Sequence, residues 1–430
     1  VVSQLGAVAM VTTDTIMVAP LGAEPLAAAG LGSSLQSFVL MLCIGVLMGM
    51  IPLVSQAFGA GDRARCRQAL VAGQAAALLL SIPLFLFLYN GRALALLLGQ
   101  EPEVAELGGA FMRALAWSAW PVLSFSAFRQ YLEGMGVTKP TMVMTFVGIA
   151  VNVAGNRVLI HGAAGVVPPL GIVGAGISTT LVRCALLVVM VAYLLAHREL
   201  NPFRGTRWRP DGRLLRQVFT IGVPVGVQNG AEVGIFSFAS VMMGWMGATE
   251  QAAHQVTINL AATTFMVALG VSLAGSIRVG QHVGAGSQHG VRRSVAAAYV
   301  VTMAFMTLCA LLFLLAPRGL IGLYTHDAAI VQVGTSLLFM AALFQLFDGA
   351  QAAGLCALRG AADTRVPMLL TVLGYWFVGF PVAYLLGFHT RMGPTGVWAG
   401  LVVSLAVVAV LLAFRVRRVL WNRPVRALAA

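Results

Sequence analysis

Three carboxylates, Asp14, Glu232 and Asp348, lie where the sequence leaves them little water. Asp14 sits within Thr12-Thr13-Asp14-Thr15-Ile16-Met17, in an apolar run from Val1 to Leu21 that carries no other charge. Glu232 and Asp348 are set in equally apolar stretches, whereas the rest of the 14 acidic residues fall in loops or near the ends of apolar runs. A charged acid at a bilayer centre costs on the order of 3 kcal/mol on insertion scales, so three unpaired ones would cost roughly 9 kcal/mol. They must be paired, be protonated or face a water-filled cavity. Arg129, Arg157, Arg183 and Arg278 are nearer the ends of their runs than the acids, so no matching cation is evident in the sequence. Reversible uptake of a proton or small cation is the chemistry such acids can perform.

Polar side chains at helical spacing accompany them. Asn152 and Asn156 are four residues apart, on one face of a helix, and Thr179 follows in the next run. Gln255 and Asn259 repeat that spacing. Each pair either lines a cleft beside an acid or stitches neighbouring helices together. The seven histidines are dispersed with no metal-ligand spacing, and the five cysteines read as small core residues rather than a disulfide or metal framework. With no Gly-x-x-x-x-Gly-Lys-Ser/Thr loop and no Gly-x-Ser-x-Gly elbow, neither ATP hydrolysis nor acyl transfer has residues to perform it. No enzyme activity and no cofactor are expected, and an ion gradient is left as the source of energy.

The elements that position these residues are apolar helices. The chain of 430 residues is 59% hydrophobic and 10% charged, with a mean hydropathy of +0.89, too little polar surface to cover a soluble globule. Twelve spans are expected near 1–21, 26–58, 68–88, 104–133, 141–160, 172–196, 214–245, 250–283, 294–316, 328–358, 367–388 and 394–414, each long enough to cross about 30 Å of hydrocarbon. Val1 is expected to begin inside the first span rather than after a signal peptide. Pro52, Pro121, Pro224 and Pro381 lie in or at the ends of spans and are expected to bend them. The net charge of +13 reports topology rather than nucleic-acid binding, because most basic residues, among them Arg63, Arg65, Arg67, Lys139, Arg292, Arg293 and Arg365, occupy loops of one parity. Both termini and the basic linker are thereby expected in the cytoplasm.

The two halves repeat. Val54-Ser55-Gln56 with Gly59-Ala60-Gly61 matches Val279-Gly280-Gln281 with Gly284-Ala285-Gly286 at an offset of 225 residues, and Arg67 and Arg292 keep that offset. The expected organisation is a six-helix lobe over 1–196, a cytoplasmic linker over 197–213, a second six-helix lobe over 214–414 and a cytoplasmic tail over 415–430. Six spans separate the copies, so they share one orientation in the membrane and a cleft between them is expected. None of the three acids has an acidic counterpart in the other copy.

Asp14-Thr15-Ile16-Met17-Val18, Val54-Ser55-Gln56 with Gly59, Ala252-Ala253-His254-Gln255-Val256, Ile277-Arg278-Val279-Gly280 and Leu358-Arg359-Gly360, in this order and at these spacings, resemble the multidrug and toxic compound extrusion (MATE) family in its NorM-like branch. The resemblance spans essentially the whole chain. It implies an all-α integral membrane protein of 12 transmembrane helices in two pseudo-symmetric six-helix bundles, arranged as a V. The implied activity is export of cationic drugs in exchange for H⁺ or Na⁺, by a monomer embedded in the lipid of a bacterial inner membrane. The implied ion-coupling residues are Asp14, Asn152, Asn156, Thr179, Glu232 and Asp348, with Glu232 and Asp348 as a Na⁺ site. The implied substrate contacts are Asp14, Ser34, Gln255 and Asp327. Phe344 stands where a cation-coordinating Tyr is expected, which weakens a Na⁺ site. A flippase for lipid-linked saccharides is the alternative, though it calls for an Arg-rich cleft.

Overall fold

The computed structural model describes residues 13, 17–162, 168–197, 199–203, 208–422 and 424. The described elements are helices: α1 (Ala23–Leu47), α2 (Met50–Gly59), α3 (Arg63–Tyr89), α4 (Gly91–Leu97), α5 (Pro102–Ala116), α6 (Ala119–Gly134), α7 (Lys139–His161), α8 (Gly171–Ala196), α9 (Gly212–Met246), α10 (Ala248–Gly284), α11 (Gln288–Leu315), α12 (Pro317–Gly322), α13 (Ala328–Gly360), α14 (Arg365–Val372), α15 (Phe380–Phe388) and α16 (Pro394–Val416). A π-helical stretch, Leu373–Gly379, joins α14 to α15. Most of the first expected span, Asp14 included, lies outside the described residues. Every later span corresponds to one of these helices or to a broken pair of them. Among the described residues nine helices are long and apolar enough to cross a membrane.

Proline explains where the spans break. Pro52 has no N–H to give to the carbonyl of Met48, and the chain turns at Met48–Gly49 between α1 and α2. Pro121 does the same to Trp117, and the turn at Trp117–Ser118 separates α5 from α6. Pro381 follows the π-helical stretch, in which the N–H of Phe380 reaches back five residues to Tyr375. Pro224 behaves differently, since α9 runs unbroken through it, as α3 does through Pro83. Cys66, between Arg65 and Arg67, is buried in the first turn of α3 behind the N-cap Asp62, as the reading of the cysteines as core residues expects.

The helices form two compact units. One comprises Val2–Met50 and Asp62–Gly226, the other Ile51–Gly61 and Val227–Ala430. The units therefore differ from the linear halves at two short segments, and close backbone approaches account for both. In the second unit a Cβ on Gly59 would fall 1.9 Å from the carbonyl oxygen of Gln281, and one on Gly284 would fall 1.9 Å from that of Gln56. The two copies of the repeated Gln-x-x-Gly thus cross at backbone contact, which ties α2 to α10. In the first unit a Cβ on Gly222 would lie 1.8 Å from the carbonyl oxygen of Val46, which ties the start of α9 to α1.

Packing inside each unit follows the apolar faces. In the first unit α3 packs on α6, α1 on α5 and α7 on α8. In the second, α13 is surrounded by α10, α11 and α16, and Trp398, Tyr375 and Phe313 are fully buried. The core of this unit consequently reaches the face of α13 that carries Asp348.

Candidate functional site

A buried polar network in the second unit is built from α9, α13 and the α14–π segment. On α9, Gln228, Asn229 and Glu232 share one face, at spacings of three and four residues. On α13, Asp348 and Gln351 share a face in the same way, and Asp348 is 3% exposed. Arg359, near the end of α13, donates through Nη2 to Gln228 Oε1 and to Asn229 Oδ1, each at 3.1 Å. Gln228 Nε2 donates to Thr371 Oγ1 on α14 at 3.3 Å. One turn beyond Thr371, the Tyr375 hydroxyl accepts from Gln351 Nε2. Three helices are thereby cross-linked around two acids.

The charges are arranged unequally. Arg359 interacts electrostatically with Glu232, Glu232 with Asp348, and Tyr375 with both acids. The direct ion pairs among the described residues are Arg92–Glu106, Arg129–Glu133 and Arg415–Asp363, so neither Glu232 nor Asp348 touches a cation. Phe344, one turn before Asp348, packs at a tilt on Phe236 and edge-to-face on Trp398 in the core.

The first unit holds the amide pair. Asn156 Nδ2 donates to Asn152 Oδ1 at 3.4 Å, and both residues are fully buried on α7. Thr179 is buried on α8, the helix packed against α7, where Ser178 faces Gly155 so closely that a Cβ there would lie 2.6 Å from its Oγ. Asp14, the residue expected beside them, is outside the described residues. Ser34 lines an apolar crevice of about 460 Å³ between α1, α3 and α4, but its hydroxyl is turned back to the carbonyl of Gly30 at 2.8 Å. Gln255 and Asn259 are exposed on one face of α10. Asp327 is exposed and caps α13, its Oδ1 accepting from the N–H groups of Ala329 and Ile330 at 2.8 and 3.3 Å, so its carboxylate already has structural work. The structure couples Glu232 and Asp348 electrostatically and joins Asn152 to Asn156 by a hydrogen bond.

Comparison with known proteins agrees with a transporter architecture. The family model MatE matches residues 1–158 and 224–385. The "Multidrug resistance protein NorM" of Burkholderia vietnamiensis is 36% identical over 420 residues, covering 96% of this chain and 90% of the relative. The "Probable multidrug resistance protein NorM" of Bradyrhizobium diazoefficiens is 37% identical over 421 residues, with the same coverage. The chain belongs to the MatE family. Among solved MATE structures, one in the bent conformation superposes with a TM-score of 0.89 at 19% identity, covering 97% of this chain and 92% of the other. The eukaryotic MATE transporter AtDTX14 superposes with a TM-score of 0.84 at 22% identity, covering 96% and 92%. The chain thus has the all-α MATE fold, with which twelve spans are consistent, and is a multi-pass membrane protein.

Two members of this MATE network were not singled out by their chemistry in the sequence. Arg359 stands in Leu358-Arg359-Gly360 near the end of a span, where an Arg ordinarily reaches the interface; here it is 9% exposed and bonds inward. Tyr375 is 27 residues beyond Asp348, and only the packing of the π-helical stretch on α16 brings it back to α13. A Cβ on Gly379 in that stretch would lie 2.5 Å from the Ser404 Cβ, so the glycine permits the approach. Two of the four span-end cations that the sequence offered are engaged elsewhere, Arg183 on Ser118 at 2.7 Å and Arg129 on Glu133 at 2.7 Å.

Proposed function

We propose that this protein is a multidrug efflux antiporter that exports organic cations in exchange for H⁺. The observation that carries the reading is the pair Glu232 and Asp348, electrostatically coupled inside a membrane-embedded unit and, among the described residues, ion-paired to no cation. Two desolvated acids coupled to one another favour uptake of a positive charge, and competition between a proton and an organic cation for that site is the elementary step of antiport. The names of the NorM relatives support drugs as substrates, and the family supports a transporter rather than an enzyme. Asp14, Asn152, Asn156 and Thr179 are assigned to coupling in the first unit, and Ser34, Gln255 and Asp327 to substrate contact. The protein is assigned to the inner membrane with both termini cytoplasmic, working as a monomer without a cofactor.

Sodium is the second reading. It is favoured by the Tyr375 hydroxyl and by Gln351 Oε1, which has no hydrogen-bond partner among the described residues. Together with the two acids they make four oxygen-bearing side chains in one network, and hard cations take oxygen ligands. The flippase reading is not favoured, since the relatives are named for multidrug resistance and the network carries two acids to one Arg.

Substrate class is tested by titrating the purified protein with ethidium and with an anionic lipid phosphate while following the fluorescence of its seven tryptophans. Saturable change with ethidium, and none with the lipid phosphate, is expected. The reverse pattern would assign the protein to the flippase class.

A further inference from the structure

Arg359 is a buried cation that the proposed exchange does not use. Its guanidinium donates from Nη2 to Gln228 and Asn229, which precede Glu232 by four and three residues and so lie on the same face of α9. Its Nε has no hydrogen-bond partner among the described residues. Asp348 is eleven residues before Arg359, three turns up the same face of α13 and about 16 Å away along the axis. Glu232 stands between them in the sense of charge: it interacts with Arg359 on one side and with Asp348 on the other, while Asp348 has Glu232 and Tyr375 as its charged and titratable neighbours.

Among the described residues, no ion pair links the other elements packed on α13 to either acid. From α10 comes His254, whose Nδ1 accepts from Trp398 Nε1 at 3.2 Å. From α11 comes Tyr299, whose hydroxyl faces Gly354, and beside Asp348 that helix offers Met306 and Thr302 against Gly349. From α16, Arg415 is paired with Asp363 at 2.8 Å.

We infer that Arg359 is the standing counter-charge of Glu232, so that the second unit presents one uncompensated negative charge, on Asp348, and exchanges one monovalent positive charge per transport cycle. This rests on the reading of the acid pair as the coupling site. Two acids without Arg359 would call for two positive charges, and the energetics of export would double in their dependence on the ion gradient. With Arg359 in place the charges +1, −1 and −1 leave a single vacancy. Gln228 and Asn229 act as the positioning groups that aim the guanidinium, both accepting from its one Nη2.

The test is a charge-reversal cycle on the full-length protein in proteoliposomes, counting H⁺ and Na⁺ moved per ethidium. Arg359→Gln is expected to move one more positive charge per ethidium than the unmodified protein, or to stall with drug binding intact. Glu232→Gln alone strands the Arg and lowers exchange. The double variant Glu232→Gln/Arg359→Gln removes both charges of the compensated pair and is expected to regain exchange about tenfold or more above either single variant, at the original stoichiometry, the coupling expected of two groups in one buried charge network. Arg359→Lys keeps the charge and is expected to keep the stoichiometry at a lower rate.

A double variant that folds and binds ethidium yet exchanges no better than the single ones would overturn the inference. So would an Arg359→Gln protein with unchanged rate and stoichiometry. If neither Gln variant folds, Arg359→Lys decides: changed stoichiometry there contradicts a role through charge. Asp348→Asn separates this inference from the reading beneath it. Normal ion-coupled export in Asp348→Asn would remove the acid pair from coupling altogether, whatever Arg359 does.

Discussion

Asp348 is the residue whose surroundings leave it fewest alternatives: it is buried, it is coupled to another acid, and among the described residues it is ion-paired to no cation. Asp348→Asn keeps the shape and cannot take up a charge, so ion-driven ethidium export should fall to the leak rate while ethidium binding, read by fluorescence, persists. Tyr375→Phe leaves Gln351 Nε2 buried without an acceptor, at a cost of about 1 to 3 kcal/mol. A lower melting temperature in detergent and a weaker apparent affinity for the coupling ion should appear together; a variant that melts earlier with unchanged ion dependence would make Tyr375 purely structural. Asp14 stands out in the sequence as a lone carboxylate in an apolar run, and it lies outside the described residues. Arg359 does not stand out, because its inward turn depends on Gln228 and Asn229 of a helix more than a hundred residues away.

At the scale of elements, hydropathy located the spans well, and the repeated motifs proved to mark a contact. Gln56 with Gly59 and Gln281 with Gly284 are the two sides of one crossing, where each glycine meets the backbone of the other copy. A backbone atom cannot step aside as a side chain can. Gly284→Ala should therefore destabilise the second unit by about 1 to 3 kcal/mol and lower the melting temperature, whereas Gly319→Ala, which meets open space, should not. What hydropathy could not reveal is how a span is interrupted. Pro52 and Pro121 break their helices, Pro224 does not, and the sequence around each is equally apolar. The π-helical turn before Pro381 was likewise invisible, because it answers to the glycines that seat it on α16 rather than to any periodicity of its own. These irregular segments lie where single helices change partners, and Tyr375 owes its place to one of them.

For the whole molecule, two claims follow from charge. The first is topology: the basic loops should face the cytoplasm. Cys66 is buried and cannot report it, but Ala64 and His326 are exposed. In whole cells an impermeant maleimide should label His326→Cys and leave Ala64→Cys unlabelled until the membrane is opened, and labelling of both from outside would overturn the assignment. The second is that the export of a positive drug is driven by the return of a positive ion to buried acids. Exchange of one proton for one monovalent cation moves no net charge, whereas each extra proton would add about 2.3 kcal/mol per 100 mV of membrane potential. The most direct measurement is ethidium transport in proteoliposomes with the pH gradient and the Na⁺ gradient imposed separately, the other held at zero, and the membrane potential clamped. Transport driven by the pH gradient alone, and lost in Asp348→Asn, is the predicted result. Transport driven by Na⁺ alone at symmetric pH, with no response to a pH gradient, would contradict it.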